Sequence, residues 1–177
     1  MPRKRIETGL LVGLLLVTFV AIGACSHRVG SPVKGTQSPE PTPRPKIYDE
    51  TANGEVQIAR AVERAASKSK RVLLMFGANW CGWCYKLHDL FDRDEEIARI
   101  LFYDYELVLI DIGQWDKHMD IARRHGVELD TTGVPFLIVL DSDGRRVTTQ
   151  ETGALEEGDY HSAAKVKAFL EAWKAAP

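Results

Sequence analysis

Cysteine is scarce in this chain: Cys25, Cys81 and Cys84 are the three among 177 residues. That is too few for a disulfide-stapled scaffold or for a zinc site of four thiolates. An excess of one charge is lacking as well. Lys and Arg number 23 against 25 Asp and Glu, a formal charge of −2, so no concentrated positive surface is implied and nucleic acid is excluded as a partner. Long apolar runs are also missing: the uncharged stretch Leu10 to Ala24 falls short of the ~20 residues that span a bilayer untilted. What is present, 45% hydrophobic and 27% charged residues, fits one globular domain.

The N-terminus reads as an address. Arg3, Lys4 and Arg5 stand against Glu7 alone, and the apolar stretch behind them ends in small residues, the pattern of a secretory signal. Its exit, Ile22-Gly23-Ala24-Cys25, resembles the lipobox of a bacterial lipoprotein. The resemblance implies cleavage before Cys25, a lipid on its thiol, and membrane attachment outside the cytoplasm; Ser26 in second place resembles the outer-membrane sorting pattern of Gram-negative lipoproteins. Loss of residues 1–24 removes three bases and one acid, which takes the charge to −4. From Ser26 to Lys46 there are five prolines and hardly an apolar residue, so residues 25–46 read as a lipidated Cys plus linker. Fully extended at ~3.1 Å per residue, that linker reaches roughly 65 Å.

The domain expected over residues 47–177 shows alternating helical and strand patterns. Ile58, Ala61, Val62 and Ala65 recur at helical spacing from Gly54 to about Ser69, with Thr51 or Asn53 as cap. Val72 to Phe76 and Leu107 to Ile110 are short apolar runs that suit buried strands. Leu87, Leu90 and Phe91 predict a helix after the second cysteine of the pair, continued by a piece from Glu95 to about Phe102. Asp116 to His125 predicts a helix closed by Gly126, Val134 to Leu140 and Arg145 to Thr152 a hairpin, and Val166, Phe169, Leu170 and Trp173 a final helix. This order predicts an α/β fold, a central mixed sheet with helices on both faces and the Val72 and Leu107 strands parallel and adjacent.

Cys81 and Cys84 stand three apart, directly after a predicted strand and at the opening of a predicted helix. A thiol at a helix N-terminus is stabilised as thiolate by unpaired backbone N–H groups and the helix dipole, which predicts Cys81 as the exposed nucleophile. Cys84, one turn on, points toward the core and suits a resolving thiol.

The segment Phe76-Gly77-Ala78-Asn79-Trp80-Cys81-Gly82-Trp83-Cys84-Tyr85-Lys86 resembles the active-site segment of the thioredoxin superfamily. Gly133-Val134-Pro135-Phe136 to Leu140, with Asp143-Gly144 behind it, resembles that family's second signature, the cis-proline loop. The resemblance implies a thioredoxin-like three-layer sandwich over residues 47–177 and a redox-active disulfide between Cys81, the attacking cysteine, and Cys84, the resolving one. It also implies that Pro135 faces the dithiol, that Val134 offers backbone groups to an extended substrate segment, and that Trp80 flanks the pair. Trp83, between the cysteines, is expected to be half exposed and to serve as an apolar platform for substrate. Two positions depart from thioredoxin itself: Met75 stands where a buried acid precedes the nucleophile by six residues, and the intervening pair is Gly82-Trp83. Enzymes of this fold span roughly 150 mV, equivalent to ~7 kcal/mol, and the sequence does not set the direction of electron flow.

The expectation is therefore a membrane-tethered thiol–disulfide oxidoreductase of the bacterial envelope, facing the periplasm. It reduces or exchanges disulfides of envelope proteins, draws on a membrane electron donor, and needs no cofactor and no metal. Two other readings stay open, a copper chaperone using Cys81, Cys84 and His88, and a redox-sensing binding lipoprotein. Tyr85 directly after the second cysteine excludes a c-type haem site. Asp141, Asp143 and Gly144 are read as a turn, His118, His125 and His161 as surface residues, and Trp115 and Trp173 as packing residues.

Overall fold

In the computed structural model, which describes residues 44–176, six helices and six strands follow in the order α1 (Gly54–Lys68), β1 (Arg71–Gly77), α2 (Gly82–Arg93), α3 (Glu95–Asp104), β2 (Tyr105–Asp111), α4 (Met119–Arg124), α5 (Leu129–Thr132), β3 (Phe136–Leu140), β4 (Arg146–Glu151), a 3₁₀ turn (Thr152–Leu155), β5 (Glu156–Glu157), β6 (Tyr160–His161) and α6 (Ala163–Trp173). The signal, Cys25 and most of the linker lie outside the described residues. Among those that are described, no helix is long and apolar enough to cross a membrane.

The main sheet runs β2-β1-β3-β4. β1 pairs with β2 in parallel, Gly77 opposite Asp111, and with β3 antiparallel, Phe76 opposite Phe136. With strands on both edges and a helix layer packed on each face, β1 is buried throughout, which is why its sequence is continuously apolar rather than alternating. The period of two then sorts its residues: Leu73 and Met75 join Leu87, Phe91, Ile97, Val166 and Leu170 in one core, whereas Val72, Leu74 and Phe76 join Ala61, Ala65, Ile121 and Leu129 in the other. The result is three layers, with α2, α3 and α6 on one face and α1, α4 and α5 on the other.

Caps explain most boundaries. The Asn53 side chain accepts from Val56 N–H and starts α1, and Ser69 in the left-handed region ends it. Asp94 closes α2 and caps α3 through its side chain, which accepts from Glu96 and Ile97 N–H. The helix expected over Asp116–His125 shrinks to α4, because His118, inside the expected span, has a positive φ and, with the positive-φ Gly113 and Trp115 ahead of it, keeps residues 113–118 in a turn. Asp116 and Lys117 N–H both bond back to the Ile112 carbonyl. The short α5, β5 and β6 carry too little periodicity to be read from sequence.

Candidate active site

The C-terminal end of β1 delivers the chain to its chemistry. Gly77 ends the strand, Ala78 and Asn79 turn the backbone, and Cys81 becomes the N-cap of α2. Cys81 and Cys84 are joined in a disulfide, S–S 2.10 Å. Cys84 N–H donates to Cys81 Sγ at 3.1 Å, so a cap hydrogen bond and the helix dipole both favour negative charge on that sulfur. Cys81, expected to be exposed, is buried with 5% exposure because the loop ahead of β3 packs against it, and Cys84 has none; an incoming sulfur still meets Cys81 first.

The loop ahead of β3 faces this pair. Val134–Pro135 is cis, and the Val134 carbonyl oxygen lies 3.6 Å from Cys81 Sγ. Behind it, the buried Thr152 hydroxyl donates to the Pro135 carbonyl at 2.6 Å, which ties the loop to the turn after β4. Sequence elements more than 50 residues apart thus meet at one sulfur.

Aromatic side chains flank the disulfide. Trp80, 45% exposed, donates its indole N–H to the Gly113 carbonyl at 2.7 Å and packs against Trp115 with ring centroids 5.6 Å apart. Trp80 borders a cleft of ≈ 430 Å³ shared with Asp111, Gln114 and Lys117. Trp83 is half-buried; His161 stands edge-on to its ring at 5.2 Å and Lys86 Nζ lies 3.9 Å above it. Two expectations are corrected here. His161 is buried, not on the surface, because β6 lays it against Trp83, and burial, with Lys86 adding, pulls its pKa down to about 4. Trp115 and Trp173 keep 41% and 39% exposure and are only partly used in packing.

His88 pairs with Asp92 at 3.1 Å, and among the described residues no three His, Cys, Asp or Glu side chains cluster as metal ligands. Sequence reasoning passed over Tyr48, Asn79 and Asp111. Asn79 Oδ1 accepts from Ile47 and Tyr48 N–H, each at 3.0 Å, and its Nδ2 donates to the Tyr48 carbonyl and to Glu50. This strap seats Tyr48 under the active site. Asp111, 3% exposed at the end of β2, pairs with Lys117 at 3.4 Å. A single Tyr at the edge of a Pro-rich linker and an Asp after a strand have no spacing that would single them out.

The family model described as thioredoxin-like matches residues 53–142. The chain belongs to the thioredoxin-like family. Its thioredoxin-like sequence is 26% identical over 164 residues, 90% of this chain and 92% of the relative, to the disulfide bond reductase DsbH of Chlamydia pneumoniae. Over 91 residues, 51% of this chain but 23% of the relative, it is 35% identical to the protein disulfide-isomerase C17H9.14c of Schizosaccharomyces pombe. Among solved structures, the disulphide isomerase from Xylella fastidiosa Temecula1 superposes with a TM-score of 0.63 at 28% identity, over 71% of this chain and 95% of that one. With the Cys81–Cys84 pair at its strand-to-helix junction, this thioredoxin-like protein is a thiol–disulfide oxidoreductase.

Proposed function

We propose that the protein is a membrane-tethered disulfide reductase of the bacterial envelope. The observation that carries the reading is the Cys81–Cys84 disulfide at the N-terminus of α2, its outer sulfur 3.6 Å from the Val134 carbonyl. In the reduced enzyme Cys81 thiolate attacks a substrate disulfide, forming the Cys81–substrate bond and releasing one substrate thiolate, which takes up a proton. Cys84 thiolate then attacks Cys81 Sγ; the Cys81–Cys84 bond forms, the Cys81–substrate bond breaks, and the second substrate sulfur leaves with the electron pair and is protonated. Two electrons have passed to the substrate. Return of the enzyme to its dithiol needs a two-electron donor, which in an oxidising envelope is a membrane protein with a reduced dithiol of its own.

The substrate lies across the Val134–Pro135 loop as an extended segment, with Trp80 and Trp83 as aromatic walls on either side of the disulfide. Main-chain pairing at Val134 gives affinity with little side-chain selection, which suits an enzyme acting on many envelope proteins. Tethering rests on Ile22-Gly23-Ala24-Cys25 and the basic residues before it, with Ser26 favouring the outer membrane. Support for the reducing direction comes from the 26% identical relative that bears the name disulfide bond reductase.

The test is a resolving-cysteine variant. Cys84→Ala is expected to hold envelope proteins on Cys81 as mixed disulfides that a reductant releases, while the wild-type dithiol reduces insulin. Absence of any trapped adduct, together with no insulin reduction by the wild type, would overturn the reading.

A further inference from the structure

Behind the disulfide, a hydroxyl group stands idle. Tyr48 is 2% exposed, and its hydroxyl oxygen is buried without a hydrogen-bond partner among the described residues. A buried hydroxyl without a partner carries an uncompensated desolvation penalty and needs a reason. The reason is its neighbour. A methyl group on Gly77 would fall 2.3 Å from the Tyr48 hydroxyl oxygen and 2.6 Å from Cys84 Sγ, so the two atoms converge on the space that the glycine leaves open. The four Asn79 hydrogen bonds pin the strap that carries Tyr48 there.

We propose that, once the disulfide opens, the Tyr48 hydroxyl donates a hydrogen bond to the Cys84 sulfur and stabilises its thiolate during the resolving step. This rests on the exchange chemistry proposed above and names the group that handles the resolving sulfur's charge. A sulfur in a disulfide is a poor acceptor, whereas a thiolate is a strong one, and charge-assisted hydrogen bonds are roughly twice as strong as neutral ones. The donor thus gains its partner only in the reduced enzyme.

Tyr48 is suited to donate and not to act as base. Burial pushes its phenol well above the ordinary range, with Asp111 and then Tyr85 acting in the same sense, so the proton stays on oxygen. The titratable groups around the spot are Asp111 from β2, paired with Lys117, Tyr85 from α2, and Cys81 itself; His161 and Lys86 lie beyond, at the Trp83 ring. Met75, in the same core cluster as Tyr48 and Cys84, offers no proton. When Cys84 attacks Cys81 Sγ, the proton it has released goes to the departing substrate sulfur, and the Tyr48 proton remains in place throughout.

The experiment compares Tyr48→Phe with wild type, a change that keeps the ring and removes the hydroxyl alone. In the reduced proteins, the Cys84 titration followed by ¹³Cβ NMR is expected to move up by about one pH unit, a tenfold loss of thiolate below the midpoint. Because nucleophilicity rises as basicity rises, resolution of a glutathionyl adduct on Cys81 is expected to slow by roughly threefold at neutral pH. Thermal unfolding separates this from packing: the oxidised variant is expected to match or exceed the oxidised wild type, and the reduced variant to fall below the reduced wild type. An unchanged Cys84 titration, or an equal stability shift in both redox states, overturns the proposal. Failure of the wild type to turn over insulin while the Cys84 shift is present would overturn the exchange reading and leave the hydrogen bond standing.

Discussion

Single side chains tune this site through burial more than through formal charge. His161 is the clearest case, because both ring nitrogens are buried without a partner among the described residues and the ring packs on Trp83. Its pKa falls from 6.5 to about 4, so the folded protein holds it neutral while the unfolded chain binds a proton below pH 6.5. Stability contributed by the neutral ring is complete above pH 6.5 and is lost as pH drops through about 4, a loss approaching ~3 kcal/mol. Urea unfolding at a series of pH values is expected to show this slope, and His161→Leu is expected to flatten it. The same logic of burial made Tyr48 and Asp111 invisible in the sequence: a lone Tyr and a lone Asp acquire meaning only when β1, β2 and the Ile47–Glu50 strap bring them beside Cys84 and Trp80.

Helix ends, at the next scale, place the chemistry. Cys81 caps α2 with its sulfur, and after twelve helical residues the helix stops at Asp94, which also begins α3. Asp94 thereby sets the angle at which α3 leaves to pack Ile97, Ile100 and Leu101 into the core beneath the disulfide. Asp94→Ala removes the acceptor for two orphan N–H groups and is expected to cost ~1 kcal/mol in chemical denaturation, with the disulfide itself unaffected. Sequence periodicity placed α1, β1, α2, β2, β3 and α6 within a few residues, since each buries an apolar face or run long enough to show a period, and the Asp141–Gly144 turn placed β4 as the hairpin partner of β3. It overran α4, where the left-handed His118 delays the helix to Met119 and Trp115 turns toward Trp80.

Across the whole molecule, one isolated redox pair sits at one end of a three-layer domain, and the remaining cysteine, Cys25, lies outside the described residues. The given sequence holds no further thiol, so the Cys81–Cys84 pair exchanges electrons with other molecules, and under the proposed tethering the segment between Cys25 and the domain would set how far from the membrane they are met. Cys25→Ser is expected to move the protein from the membrane fraction to the soluble fraction while its insulin-reducing rate stays unchanged. A rate that fell with the anchor would tie activity to the bilayer instead.

Local chemistry marks what one strand of text can carry. A Cys-x-x-Cys between an apolar run and a helical period, a Gly-Val-Pro ahead of a second run, and a Pro-rich stretch unable to form a core are all legible because each signal lies within a few neighbouring residues. Tertiary structure alone decided the rest: that Val134 comes within 3.6 Å of Cys81, that His161 is buried on Trp83, and that Tyr48 reaches into the gap above Gly77 beside Cys84. Those contacts join residues about 30 to 80 positions apart, and such closeness follows from sheet order and packing, which no local periodicity encodes.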